Sequence, residues 1–288
     1  MPIERQTHDS PLGRWTTTGW RPSHLVGIVE GIWYFEGWVA LPRERIFPDG
    51  RADLIVHLGP RYAQVEGPKV ERYPSVCLSG LLLRSNLIEA PPGECAVLGL
   101  RLHPAGAYAL LGRPLHDLAG ITVDLSDLVA SASAELAERC AAMQTPEGRV
   151  RAAAGWIAER VARSSGADPA VAWTAVEIER QGGAVSISAL RERTGWSKSR
   201  LAERFKEQIG VAPKVLARIV RFRRALARLH RQGVDGTERN LADLALRSGY
   251  YDQPHFNAEF RELAGFSPGE YLAADHYPGS VSLAEPAG

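Results

Sequence analysis

Gly249-Tyr-Tyr-Asp-Gln-Pro-His-Phe-Asn-Ala-Glu-Phe-Arg-Glu-Leu-Ala-Gly-Phe-Ser-Pro268 decides how this chain is read, because Gly195-Trp-Ser-Lys-Ser-Arg-Leu-Ala-Glu-Arg-Phe-Lys-Glu-Gln-Ile-Gly-Val-Ala-Pro213 repeats its pattern. The repeat extends backward to Leu241-Ala-Asp-Leu244 and Ile187-Ser-Ala-Leu190. Up to the first glycine the copies are offset by 54 residues, and beyond it by 55, so the second turn carries one extra residue. The apolar, Gly and Pro positions agree throughout.

Each copy has the signals of two short helices joined by a turn. Gly195 ends the first helix, since the left-handed backbone is cheap only for glycine. Ser197 is a good N-cap for the second. Leu201, Phe205 and Ile209 then recur every four residues as one apolar stripe, Gly210 closes the helix and Pro213 follows. Two helices meeting at a glycine-containing turn form a helix-turn-helix unit, whose second helix fits a DNA major groove.

With Leu201 and Phe205 turned inward, Ser199, Ala202, Glu203 and Lys206 share the opposite face and Arg200 borders it. The second copy presents Pro254, Asn257, Ala258 and Arg261, with Gln253 and His255 near the helix start. Arg, Asn and Gln make bidentate contacts to guanine or adenine edges, whereas Ala and Pro only pack. Lys206 and Arg261 lie later in their helices, where phosphate contact is the alternative.

Between the units, Val215–Leu229 carries Arg218, Arg221, Arg224 and Arg228 at three- and four-residue spacing. This predicts a long helix with a basic stripe, and Arg218 and Arg221 are read as further DNA contacts. A helix of ~16–20 residues at ~1.5 Å rise spans most of the ~34 Å between successive major grooves on one face of B-DNA. The charge balance agrees. Residues 171–276 hold 17 Lys and Arg against 13 Asp and Glu, net +4, while the rest of the chain is net −3. A basic C-terminal half fits a polyanion.

These residues resemble the AraC/XylS family of bacterial transcription regulators over about 105 of 288 residues. Gly249–Tyr271 is similar to that family's G-[FY]-x-D-x-x-x-F-x-x-x-F-[KR]-x-x-x-G-x-[ST]-P-x-x-[YF] signature. The resemblance implies two helix-turn-helix units in adjacent major grooves, with base reading by Ser199, Arg200, Ala202, Glu203 and Lys206, and by Gln253, Pro254, His255, Asn257 and Ala258. Pro254 stands where the family has a small polar residue, and Ala258 where it often has Arg. Both departures shift the expected reading toward the first unit. Ser197, at the helix start, joins the candidate DNA contacts.

Residues 1–125 contrast with this. Short apolar runs such as Ala52–Leu58 and Cys95–Leu102 lie between Pro- and Gly-rich turns, the pattern of a β-sandwich or small barrel. Leu25–Phe35 reads as either helix or strand. Ala105–Leu111, Ser126–Met143 and Thr145–Arg163 read as helices, and 164–169 as a linker. His24–Trp33, Ile46–Gly59 and Gly99–Ala107 are similar to an N-terminal regulatory domain found ahead of AraC-type units. The expected fold is α+β. Residues 1–165 are a mainly β regulatory, effector or dimerisation domain with following helices. Residues 170–276 are an all-α DNA-binding domain with units at about 186–210 and 240–265. Residues 277–288 form a flexible tail.

Composition limits the remaining functions. Three cysteines, far apart, make no disulfide framework and no CxxC metal knuckle. There is no P-loop or GxGxxG motif, and no run of ~18 apolar residues. The first residues, MPIERQTHDS, lack a leader's apolar core, so a cytoplasmic protein without membrane partners is expected. No cofactor, metal or enzymatic activity is expected. His57, His103 and His116 have no HxH or His…Glu spacing for a metal. A small-molecule effector is the candidate controller, with Trp33, Phe47, His57 and Arg101 as candidate pocket residues. Double-stranded DNA is the expected partner and RNA polymerase a candidate one, for a monomer or homodimer. The alternative is a cupin-like metal-binding or enzymatic N-terminal domain with an appended DNA anchor.

Overall fold

The structure, a computed structural model, describes residues 2–235, 240–274, 276 and 282–285. Strands dominate the first part: β1 (Glu4–Ser10), β2 (Gly13–Trp20), β3 (Val29–Val39), β4 (Arg43–Ile46), β5 (Ala52–His57), β6 (Ala63–Glu66), β7 (Lys69–Arg72), β8 (Val76–Ser79), β9 (Asn86–Glu89), β10 (Cys95–Leu102) and β11 (Thr122–Asp124). With β12 (Leu283–Glu285) they form two antiparallel sheets, ordered β1-β2-β3-β10-β5-β8-β11 and β12-β4-β9-β6-β7. Neither sheet closes into a barrel among the described residues. The ambiguous Leu25–Phe35 stretch is mostly β3, where its aromatics and β-branched residues alternate across a sheet.

One face of the larger sheet is apolar. Ile32, Tyr34, Leu54, Val56, Leu98 and Leu100 alternate onto it and are buried. The helices α1 (Gly106–Leu111), α2 (Ser126–Ala141) and α3 (Pro146–Val161) complete this core, contributing Leu110, Leu136, Trp156 and Ile157. Thr145 caps α3 through the Gly148 amide, with Pro146 in the first turn.

The second part is helical: α4 (Pro169–Arg180), α5 (Ile187–Thr194), α6 (Lys198–Ile209), α7 (Pro213–Asp235), α8 (Leu241–Arg247), α9 (Gln253–Ala264) and α10 (Pro268–Ala273). It holds two apolar clusters, and α7 belongs to both. Leu216, Ile219 and Val220 join α4, α5 and α6, while Phe222, Ala225, Leu226 and Leu229 join α8, α9 and α10. A single helix packed into two cores fixes the separation of the units on either side of it.

The two parts are also packed against each other. Phe47, in the loop after β4, inserts among Phe222, Phe266 and Tyr271 at ring distances of 6.4, 5.9 and 5.9 Å. Leu81 and Ala105 join the cluster of the first helical unit. The C-terminal tail, expected to be flexible from residue 277, departs from that reading where it is described. Leu283–Glu285 pairs antiparallel with β4, and Leu283 is buried in the second helical cluster. The sheet edge supplies ladder hydrogen bonds that a Pro/Gly-rich composition does not reveal. The rest of 277–288 lies outside the described residues.

Candidate nucleic-acid interface

The first helix-turn-helix is α5 and α6. Ser186 caps α5, Gly195 ends it at φ +69°, and Ser197 caps α6 by accepting from the Arg200 amide. Leu201, Phe205 and Ile209 are buried. Ser197, Ser199, Arg200, Glu203 and Lys206 are exposed together, with Ala202 half-buried beside them. The Arg200 guanidinium lies over the Trp196 ring at 4.7 Å. Such a stack restricts a long side chain before any ligand arrives. Gly210 ends α6 at φ +94°, and a β-carbon there would meet the Leu115 carbonyl at 3.1 Å.

The second unit is α8 and α9. Asn240 caps α8, and Asp252 caps α9 by accepting from the His255 amide. Phe256, Phe260 and Leu263 are buried. Pro254, His255, Ala258 and Arg261 are exposed, and Gln253 and Asn257 are half-buried. Asn257 Oδ1 is buried without a hydrogen-bond partner among the described residues. Arg261 is partly engaged, donating to Glu270 at 3.2 Å. Tyr251, which motif reading passed over, is 86% exposed immediately ahead of α9. Its position in the turn was the available signal, since a large apolar residue there lies outside the buried stripe.

Arg218 and Arg221 are engaged within the protein. Both were read as DNA contacts on the basic stripe of α7. In the structure they point at α9, where Arg221 binds Glu259 at 2.8 Å and Arg218 binds Glu259 at 3.0 Å and Glu262 at 2.7 Å. Glu259 is buried, so these arginines neutralise a carboxylate that would otherwise be stranded in the domain interior.

The candidate pocket is also corrected. Trp33, His57 and Arg101 do lie on one face of the larger sheet, opposite the apolar core, through the rows Trp33–Gly99–Ile55 and Arg101–Asp53. Phe47 does not join them, because the aromatic surface of the helical domain draws it away. Gly99 is required where it stands, since a β-carbon would collide with the Trp33 ring at 2.3 Å. His57 Nδ1 meets the Pro74 carbonyl at 3.1 Å and its ring stacks near Tyr73. Burial, partly offset by backbone hydrogen bonds, pulls its pKa below the usual histidine value.

Arg101 forms ion pairs with Asp49 and Asp53. Burial pushes the Asp53 carboxyl up to about 6, against the pull of Arg101. Nearby, Arg51 is 4% exposed and joins Glu30 of β3 to Glu179 of α4. Arg223 of α7 donates to the Asp49 carbonyl at 3.0 Å. This charged cluster crosses the domain boundary, and no local pattern signals it.

The N-terminal domain also reaches the C-terminal end of each second helix. The Leu115 amide donates to the Glu207 carbonyl of α6 at 2.7 Å. The Ser85 amide donates to the Leu263 carbonyl of α9 at 2.7 Å, and Ser85 Oγ to Ala264 at 2.8 Å. Unpaired carbonyls at a helix end need such partners.

Residues 190–274 match the family described as a helix-turn-helix domain, and residues 22–124 match a domain of unknown function, DUF6597. Among solved structures, the chain is similar to the C-terminal domain of AraT, a response regulator from Geobacillus stearothermophilus. The identity is 22%, over 39% of this chain and 96% of that one, with a TM-score of 0.33. ToxT from Vibrio cholerae O395, bound to (E)-4-(8-methylnaphthalen-1-yl)but-3-enoic acid, is 12% identical over 81% of this chain and 96% of its own, with a TM-score of 0.46. The AraC-like transcriptional activator CuxR is 16% identical over 82% and 88%, with a TM-score of 0.27. No curated protein matches the chain in sequence. Residues 190–274 are thus a helix-turn-helix domain.

Proposed function

We propose that α6 and α9 occupy successive major grooves of double-stranded DNA, with α6 doing most of the base reading. The observation that carries this is the 23-residue helix α7, packed into the cores of both units. At ~1.5 Å per residue it spans about one turn of B-DNA. On α6, Arg200 and Glu203 are the groups that discriminate bases, Arg toward guanine and Glu toward cytosine, while Ser197, Ser199 and Ala202 pack close to the backbone and thymine methyls. On α9, Gln253, His255 and Asn257 are the polar readers, and Pro254 and Ala258 provide contact without donors. Lys206 and Arg261 serve phosphates.

The N-terminal domain, residues 1–165, governs these helices in this reading. Its bonds from Leu115 and Ser85 to the ends of α6 and α9 support that role. A small-molecule effector bound on the face of Trp33, His57 and Arg101 would act through Asp49, Asp53 and Arg51 on α4 and α7. RNA polymerase is the partner in transcription, and the protein works in the cytoplasm as a monomer or homodimer.

Selection of genomic fragments by the purified full chain, followed by hydroxyl-radical footprinting, tests the reading. Two protected segments about one helical turn apart on one face are expected. A single protected segment, or no sequence enrichment, overturns it.

A further inference from the structure

We propose that Arg224, Arg228, Arg231 and Arg247 form a phosphodiester-binding cluster that holds the DNA backbone between the two reading helices. This rests on the DNA-binding reading above and adds residues to it.

The basic stripe of α7 divides in two. Its first arginines, Arg218 and Arg221, are taken up by Glu259. From Arg224 onward the stripe has no such partner on α9 among the described residues. Arg224, Arg228 and Arg231 follow at four- and three-residue spacing, which sets them on one side of the helix. Arg224 and Arg231 are exposed and form no ion pair with any described residue. Arg247, at the end of α8, closes the group. Asp243 is the acid beside it, and its pair with Arg247 is long at 3.5 Å and largely exposed. Surface pairs of this kind contribute little and yield readily to a stronger anion.

The cluster lies between the two units. Arg224 packs against Gly182 in the turn leading to α5, where a β-carbon would meet its guanidinium at 2.3 Å. Arg228 bridges to the other unit, donating to the Arg247 carbonyl and to Ser248 Oγ at 3.4 Å. Burial lowers the pKa of Arg228, and the positive charges of Arg224, Arg247 and Arg231 lower it further. Among the described residues these four guanidinium groups have only the Asp243 carboxylate beside them, and they repel one another until a polyanion arrives. A duplex that receives α6 and α9 in successive major grooves must carry its backbone across the intervening stretch, and phosphates there complement this charge.

Fluorescence anisotropy with the full chain, on a duplex that the wild-type protein has selected and on a scrambled duplex, tests the assignment. The variant R224Q/R231Q should lower affinity by a similar factor on both duplexes. It should also reduce the slope of log K against log salt by about 2, near one per lost phosphate contact. Its selected sequence should be unchanged, and R224K/R231K should restore the slope. A duplex made neutral by methylphosphonates between the two footprints should weaken the wild type more than R224Q/R231Q, which keeps only Arg228 and Arg247 of the cluster. An unchanged slope in R224Q/R231Q, with the wild type still binding its selected duplex, refutes the cluster alone. A wild-type protein that selects no sequence refutes the underlying reading and the cluster with it.

Discussion

Arg221 of α7 and Glu259 of α9 are joined by two guanidinium nitrogens, with Nη2 2.8 Å from Oε2 and Nε 3.2 Å from Oε1. Glu259 is 6% exposed, and Arg218 binds the same carboxylate from one turn earlier. The orientation of the second reading helix relative to α7 is therefore set by a buried ionic contact as well as by aromatic packing.

Replacing Glu259 with Ala should destabilise the chain by about 2–4 kcal/mol, since both arginines lose their buried partner. Urea unfolding measures this. Replacing Arg218 as well should recover part of the loss, and a simple sum of the two single effects would mean that the contact carries no coupling.

The variant Arg200→Ala should relax preference at one base position, costing about 1–3 kcal/mol there and little on sequences that lack that base. Repeating the selection with this variant measures it. Equal weakening on all duplexes would place Arg200 on phosphate instead.

For Lys206→Ala, affinity should fall and the salt slope drop by about 1. Arg261→Ala should have the smaller effect, because Glu270 already engages that guanidinium. Anisotropy titrations at several salt concentrations compare the two, and a larger effect at Arg261 would show that the Glu270 pair does not hold that guanidinium away from DNA.

Phe47→Ala removes a ring that sits among Phe222, Phe266 and Tyr271 across the domain boundary. A loss of about 3–5 kcal/mol is expected from the cavity and lost burial. Calorimetry should also show the two domains melting further apart in the variant than in the wild type.

The raised pKa of Asp53 gives a signed pH dependence. Its folded-state value of about 6 lies above the ordinary aspartate value, so the folded state holds this proton more tightly than the unfolded chain does. The carboxyl therefore lowers stability progressively as pH rises from about 4 to about 6. Asp53→Asn should raise the Tm relative to wild type at pH 7 more than at pH 4. A constant difference would show that Asp53 titrates normally.

Much of the helical domain was legible. The repeat placed Gly195, Ser197 and Gly210 at helix ends, and the structure has them there. The stripe Leu201, Phe205, Ile209 is buried as its spacing requires. These signals are local: a cap acts within one turn, and an apolar face repeats within a few residues. The strands at Ala52 and Cys95 were legible for the same reason. The destinations of Arg218, Arg221 and Phe47 were not, because each depends on a partner on a different element.

By itself the sequence determined that this chain carries two helix-turn-helix units joined by a long helix, behind a strand-rich domain. Periodicity and capping are short-range, and the tandem copies repeat them in register. Only the tertiary structure decided which charges face outward. Arg218 and Arg221 look the same as Arg224 and Arg228 along the stripe, yet Glu259 lies 41 and 38 residues from the first two and captures them. Arg51 meets Glu179 at a separation of 128 residues, and Ser85 reaches Ala264 at 179. Such contacts arise where packing removes charges and carbonyls from water, and no pattern along the chain records which groups will be left facing one another.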